Sequence, residues 1–380
     1  MMLPKGWKKV KIKDIKSVDI QNGFSPLCVD YETKRKSLSL GSLTGFSLDV
    51  SQQKNISENV VMPIHSLLKR NDILVSRSNT KDKVGRVAVV LDDLKDIYYP
   101  DLMMRFQVNE KIADSQFVTL CLQSPSGRGY FESHAAGTST SMVKINKGVL
   151  ENFSMLLPPI GEQKKIAATL SVWDDAIKKM EKLINAKESG HAVLMNKMLK
   201  NTKMWNCTCL SDISTIKKGK QLNAVDMISD GAYYVMNGGI TPSGNTDDWN
   251  TAENTISISE GGNSCGYVAF NKEKFWAGGH CYTLLDLGEN ISVRFLFHYL
   301  KNMEKEIMAM RVGSGLPNIQ KDSISDIKVL YPSKKEQERI SGILDDSLSE
   351  ITFLKQQLEN YKKQKQGLMQ KLLTGQWRVK

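Results

Sequence analysis

Residues 162–170 read EQKKIAATL and residues 336–344 read EQERISGIL, an offset of 174 residues (336 − 162). The same offset aligns Ile166 with Ile340, Leu170 with Leu344, Ile177 with Ile351, Met180 with Leu354, Ile184 with Leu358 and Leu194 with Leu368, without a gap. Within each copy the apolar positions step alternately by four and three, the spacing that keeps one stripe of a helix turned towards a partner helix. Both copies turn polar or amphipathic at matching steps, Lys187 and His191 in one, Tyr361 and Lys365 in the other. Pro158-Pro159 precedes the first copy, Ser333-x-x-Glu336 reads as a capping box before the second, and Thr374-Gly375 supplies a stop. Each helix is then roughly 38 residues, about 57 Å long. The copies also differ: Ser347 stands where the first has Trp173, and SGHAV (189–193) predicts a weaker or kinked helix near Gly190.

What precedes each helix repeats more loosely. Trp7 with Asp14-Ile15 matches Trp205 with Asp212-Ile213 at an offset of 198, SRSNTKDKVGRVAVV (76–90) matches SISEGGNSCGYVAF (257–270) at 181, and Phe117 matches Phe295 at 178. Loop lengths drift while helix length does not, the pattern of variable recognition loops on a fixed ruler. The division this predicts is a first globular α/β (α+β) domain at 1–160, a spacer helix at 161–202, a second domain at 203–335, and a second spacer helix with its tail at 336–380. A chain that runs out on one helix and returns on its equivalent pairs them as an antiparallel coiled coil, with an internal pseudo-two-fold repeat. Two similar heads on one ruler suit a ligand with two inverted sites, such as duplex DNA.

Charge agrees with that ligand without proving it. The chain carries 52 Lys and Arg against 41 Asp and Glu, a formal charge of +11. Residues 1–160 hold 22 basic and 16 acidic side chains, whereas residues 203–335 hold 14 of each, so contacts in the second half must come from local loops. The N-terminal MMLPKGWKKV has no apolar signal core, and no run approaches the roughly 20 apolar residues of a membrane span. The expectation is a cytoplasmic protein.

The motifs expected of an enzyme are missing. No G-x-x-x-x-G-K-[ST] phosphate loop is present; GITPSGN (239–245) has the glycines but no lysine. The adjacent prolines of LPPIGEQ lack the Asn and aromatic of an amino-methyltransferase pocket. Pro100-Asp101 has no suitably spaced E-x-K after it, and the six cysteines form no C-x-x-C pair, so neither a nuclease metal site nor zinc is expected. GNSCG (262–266) satisfies the nucleophile-elbow pattern at Ser264, with His280 and His298 as conceivable bases. Its counterpart KDKVG (81–85) keeps only the glycine, which makes Gly85 and Gly266 turn residues and Ser264 a variable loop tip. His65 and His134 read as packing or surface residues.

Two variable α/β halves, each closed by a P-x-x-x-E-Q-x-x-I heptad helix ending in LMNKML (194–199) or LMQKLL (368–373), resemble the specificity subunit of type I restriction-modification systems. GFSP (23–26), DILVSRS (72–78) and GTSTSMVKINKGVLENFSMLLPPIGEQ (137–163) carry the same likeness. The resemblance covers the whole chain and implies a non-catalytic subunit whose two target-recognition domains each read one half of a bipartite DNA site. It implies two methyltransferase subunits docked on the helices, and endonuclease/translocase subunits beside them. S-adenosylmethionine, ATP and Mg would then belong to those partners, with no cofactor or metal in this chain. The competing expectation is a two-headed coiled-coil adaptor that joins proteins rather than DNA.

Base reading needs polar side chains projecting from fixed roots, so loop tips are the candidates. In the first head these are Arg77, Asn79, Lys81, Lys83 and Arg86, followed by Ser139, Thr140, Lys144 and Asn146 on the turn before the last strand. In the second they are Lys217, Lys218 and Lys220, the loops around Asn237, Asn245 and Asn263, and the turn with Ser314, Asn318 and Gln320. The offset of 181 pairs Arg77, Asn79, Lys81, Lys83 and Arg86 with Ile258, Glu260, Gly262, Ser264 and Tyr267, so the two half-sites differ. The expected helix-pairing residues are Ile166, Leu170, Ile177, Met180, Ile184, Ile340, Leu344, Ile351, Leu354 and Leu358. Trp173, Met195 and Met369 are candidate anchors for partner proteins.

Overall fold

A computed structural model describes residues 4–137, 142–200, 204–313, 315 and 317–379. It divides into two compact units, one of residues 1–181 with 357–380 and one of residues 182–356. The first is built on an antiparallel sheet of strands β1 (Lys16–Asn22), β2 (Ile73–Ser76), β3 (Val87–Val89) and β4 (Met103–Val108), in the order β1-β4-β2-β3. Strand β2 reads ILVS and is buried throughout because each of its faces meets a core. Ile73 and Val75 turn to the main cluster with Phe106, Phe117 and Phe131, and Leu74 turns with Ala88 to a smaller one around Tyr99. Helix α1 (Ser115–Gln123) starts where the Asp114 carboxylate accepts from the Phe117 amide at 2.9 Å, which drops Phe117 into the core. The chain then enters α2 (Ile160–Leu199).

The second unit repeats the plan. Strands β5 (Thr215–Lys218), β6 (Thr255–Ser259), β7 (Val268–Asn271) and β8 (Cys281–Leu285) form an antiparallel sheet in the order β5-β8-β6-β7. Helix α3 (Val293–Asn302) starts at Ser292, placing the fully buried Phe295 where the first unit has Phe117. The loose sequence match at Asp14 and Asp212 has a physical cause: each carboxylate accepts from the backbone amide three residues before it, Lys11 at 2.8 Å and Cys209 at 3.1 Å. Helix α4 (Lys334–Leu373) follows.

Both long helices contain 40 residues, and an offset of 174 holds at either end (334 − 160; 373 − 199). No break occurs at Gly190, where a Cβ would meet nothing within 4 Å. The Glu336 carboxylate pairs with Arg339 instead of returning to cap Ser333. The helices run antiparallel in each unit: from Asp174 to Glu181 the partner falls from Lys365 to Lys362, and from Glu188 to His191 it falls from Lys355 to Ser347. In the first unit Lys365 pairs with Asp174, Lys362 with Glu181, and Trp173 meets the Tyr361 ring edge-on. In the second, Lys187 pairs with Glu350 at 2.6 Å, Lys355 with Glu188 at 2.7 Å, and His191 Nδ1 lies 3.0 Å from the Ser347 hydroxyl. Ser347 is thus a partner for the seam histidine rather than a gap in the stripe.

Two expectations need correction. The domain boundaries do not fall at the helix starts, because each head shares its core with one half of each helix. Ile166 and Leu170, with Met369 and Leu372, belong to the first head's core; Ile340 and Leu344, with Leu199, belong to the second's. Those four seam residues therefore bind helix to head, while Ile184, Ile351 and Leu358 are buried and Ile177, Met180 and Leu354 half-buried along the helices. For the same reason Met369 is not an exposed anchor, and Trp173 and Met195 are half-buried.

The repeated Glu-Gln has its explanation at the helix starts. Gln163 is fully buried; its Oε1 accepts from the Asp114 amide at 2.8 Å, and its Nε2 donates to the Ile112 and Pro158 carbonyls at 2.9 and 2.7 Å. Gln337 does the same with the Ser292 amide at 2.8 Å and the Asn290 and Pro332 carbonyls, both at 2.9 Å. Each glutamine satisfies backbone groups at the start of α1 or α3 that would otherwise be buried without partners. Replacing either with leucine leaves three such groups unpaired, and each substitution is expected to lower unfolding free energy by about 2–4 kcal/mol in denaturant titration.

A second buried polar group sits where α3 meets α4. His298 is fully buried with Nε2 2.8 Å from Asp345 Oδ1, Arg294 shares that carboxylate, and the His191 ring lies 6.5 Å away. Burial holds both histidines below their ordinary value of 6.5, against the pull of Asp345 on His298. Burial also opposes the charge of Asp345, yet Arg294 and His298 keep its carboxyl below the usual range. Unfolding lets the histidines take up protons that the folded state refuses, so stability falls as pH drops through about 6.5, with the Asp345 contribution lost only in more acid solution. Denaturation at a series of pH values should show this loss, with a shallower slope in His298→Leu, leucine being what the first unit carries at Leu120.

Candidate functional site

Backbone hydrogen bonds define the same cradle at one end of each sheet. In the first unit the Ser76 amide donates to Arg86, Gly85 to Ser76, Arg77 to Leu102 and Ile145 to Arg77. In the second the Ser259 amide donates to Tyr267, Gly266 to Ser259, Glu260 to His280 and Ile319 to Glu260. Gly85 and Gly266 take φ of +68° and +89°, and a Cβ there would strike Phe131 or Met308, so both are glycine by geometry. Strand ends close the cradle in the same way, Gly23 to Met103 and Gly219 to Cys281.

These bonds correct the sequence alignment. Gly85 and Gly266 match at 181 (266 − 85), but Ser76 and Ser259 match at 183 (259 − 76), because the second loop is two residues shorter. Arg77 therefore corresponds to Glu260 and not to Ile258, which is a core residue of β6. In the same register Asn22 corresponds to Lys218, Leu102 to His280, and Lys144 to Asn318. One scaffold carries two sets of side chains that differ in charge.

The first cradle brings several expected residues together. Ser78–Asn79 pairs with Val143–Lys144, setting Lys144 opposite Ser78 and Val143 opposite Asn79. Arg77 is half-buried and has no ion-pair or hydrogen-bond partner for its side chain among the described residues. The Asn79 Oδ1, its side-chain acceptor, receives the Thr80 amide at 2.9 Å. Lys81 and Lys83 are exposed at the tip, and Arg86 lies against Gly45. Arg128 braces the loop from behind, donating to the Val84 and Asp82 carbonyls at 2.6 and 3.0 Å. Asn146 does not project; it caps the following helix through the Val149 amide. The buried Ser76 and Ser78 hydroxyls and the Asn22 amide oxygen have no partner among the described residues. Ser139, Thr140 and Ser314 lie outside the described residues.

The second cradle gathers Lys218, Asn237, Asn263 and Asn318. Asn318 bridges to Gly261 and Val312, and Gln320 donates to its Oδ1 at 3.0 Å. Asn263 is exposed, as are Lys217 and Lys220, while Asn237 packs beside Gly278 with its Oδ1 unpaired. Asn245 is turned away, donating to the Ser229 carbonyl. At the centre is Glu260, nearly buried, which receives Lys218 Nζ at 2.5 Å and the Tyr282 hydroxyl at 3.1 Å on Oε1. Burial, then the nearby Glu260, push the Tyr282 phenol up to about 12, so it remains a donor. Lys218, expected as a DNA contact, is thus paired with Glu260 within the chain. Glu260, His280 and Tyr282 were missed as a set because the two-residue slip hid the match between Glu260 and Arg77.

Nucleophile chemistry finds no support here. The Ser264 hydroxyl donates to the Gly238 carbonyl at 2.7 Å, holding two loops together instead of facing a base. Among the described residues no group of three or more His, Cys, Asp or Glu could hold a metal ion, and no helix is long and apolar enough to cross a membrane.

Comparison with known proteins agrees with the duplicated architecture. The family described as type I restriction modification DNA specificity domain matches at residues 4–188 and again at 202–362. A relative from Mycoplasma pneumoniae described as a type I specificity subunit is 33% identical over 172 residues, covering 45% of this chain and 46% of the relative. The chain thus spans about half the length of that relative. The MjaVIII specificity subunit of Methanocaldococcus jannaschii is 24% identical over 320 residues, 73% of this chain and 74% of that one. A crystal structure of a type I restriction-modification S subunit from M. genitalium has a similar fold, with a TM-score of 0.66 over 98% of both chains at 20% identity.

The two centres should respond differently to truncation. Glu260→Ala strands the Tyr282 hydroxyl and is expected to cost about 1–3 kcal/mol, whereas Arg77→Ala should change stability by less than about 0.5 kcal/mol. Thermal unfolding of the two variants checks the contrast.

Proposed function

Because this chain belongs to the type I restriction-modification DNA specificity family, we propose that it recognises a bipartite, asymmetric site on double-stranded DNA and directs partner enzymes to it. The observation that supports this reading most is the duplicated cradle: one backbone frame with Arg77, Asn22 and Lys144 in one copy and Glu260, Lys218 and Asn318 in the other. A frame held by main-chain bonds with side chains free to change is what sequence reading requires, since register comes from the frame and letters from the side chains. The equal 40-residue helices would set the spacing of the half-sites.

On this reading the chain is not itself an enzyme. Two methyltransferase subunits using S-adenosylmethionine would modify adenine, and endonuclease/translocase subunits using ATP and Mg would restrict unmodified DNA. The helices offer surfaces for such partners: Val172, Leu183, Val193, Ile343 and Phe353 remain exposed on them. Arg77 can pair bidentately with guanine, while Lys81 and Lys83 at the loop tip neutralise phosphates.

Selection of random duplexes by the chain co-purified with a methyltransferase subunit, at two salt concentrations, tests the proposal. The expected result is two different short motifs at one fixed spacing, with affinity falling steeply as salt rises and the motifs unchanged. Enrichment of no motif at either salt would favour a protein-joining adaptor instead.

A further inference from the structure

The second cradle holds a side chain whose chemistry the first lacks. His280 corresponds to Leu102, and its amide-to-amide neighbourhood is otherwise the same. The imidazole is 61% exposed, and Nδ1 lies 3.4 Å from Glu260 Oε2. Oε1 of that carboxylate already receives two donors, Lys218 and Tyr282, which leaves Oε2 as the oxygen facing the ring. Gly238, at φ +85°, packs on the His280 backbone, where a Cβ would sit 2.6 Å from its carbonyl oxygen, and a Cβ on Gly261 would lie 3.9 Å from Nδ1. The ring is therefore exposed, with one nitrogen beside a carboxylate oxygen.

Resting on the reading of this chain as a DNA-specificity subunit, we propose that His280, oriented by Glu260, is a specificity-determining side chain of the second head. A carboxylate beside Nδ1 favours the tautomer with its proton on that nitrogen, so Nε2 is presented as an acceptor. An acceptor at a groove edge selects a base that offers an exocyclic amine, adenine or cytosine, over one that offers a carbonyl. Arg77, a donor only, selects the opposite chemistry in the first head. Lys218 pairs with Glu260 Oε1; Glu260 is a positioning residue and does not touch DNA. The charge inversion between Arg77 and Glu260 is then the means by which one fold reads two unlike half-sites.

The test is duplex selection with the full chain and its methyltransferase subunit, comparing wild type with His280→Ala, His280→Gln, Glu260→Gln and Arg77→Ala. In wild type, one position of the second motif should carry an amino-bearing base. His280→Ala should relax that position by about tenfold while leaving the first motif intact, and Glu260→Gln should relax the same position. Arg77→Ala should relax the first motif alone. A motif that His280→Ala and His280→Gln both leave unchanged overturns this inference without touching the broader reading. Failure of wild type to select any motif overturns the broader reading and this one with it.

Discussion

Everything in each unit depends on how firmly a helix start is fixed to a head. A 40-residue helix joined to a small sheet by one flexible turn would point nowhere in particular, and no recognition loop could then hold a register. Gln163 and Gln337 remove that freedom by bonding, from the second turn of their own helices, to the backbone that opens α1 or α3. Apolar contacts do the rest: Ile166 and Leu170, or Ile340 and Leu344, lie in the same cores as the sheet. The hydrogen bonds set direction and the burial supplies most of the stabilising free energy, at about 1.5–3 kcal/mol for each large side chain.

The same division of labour operates at the cradle. Main-chain bonds from Ser76, Arg77 and Gly85, or from Ser259, Glu260 and Gly266, hold the loop whatever side chains it carries. Side chains on the loop can then change without disturbing the strand ends. The second loop is two residues shorter and keeps the same bonds. Net charge has little part in this: a head with balanced charges can still place Lys217, Lys218 and Lys220 at one strand end.

How much of this could be read from the sequence follows from what kind of interaction is involved. The helices were legible to within a few residues because a 3.5-residue period repeats over many turns, and their equality was legible because the offset never changes. The turn glycines Gly85 and Gly266 were legible because they alone match between the two loops. The buried role of Gln163 and Gln337 was not, because a glutamine near a helix start looks like a capping residue. The division of each unit was not legible either: Ile166 and Leu170 satisfy a heptad whether they face a helix or a sheet.

The missed site has the most instructive cause. Aligning the two halves by their glycines fixes one end of each loop, and a shortened loop then displaces every residue before the deletion. That alignment pairs Arg77 with the core residue Ile258 and Glu260 with Asn79, which hides the reversal of charge at one position of the frame. The hydrogen-bond partners settle the register instead: the Ile145 and Ile319 amides, at the constant offset of 174, donate to Arg77 and Glu260. Once those two are equated, the ion pair with Lys218 ceases to be an isolated surface contact. It becomes the way in which the fold carries an acidic residue, almost buried, at a position where its counterpart carries a base. A lone carboxylate there would be costly to bury and would repel a phosphate backbone. Paired with Lys218 and hydrogen-bonded by Tyr282, it is tolerated, and its remaining oxygen is left to orient the imidazole beside it.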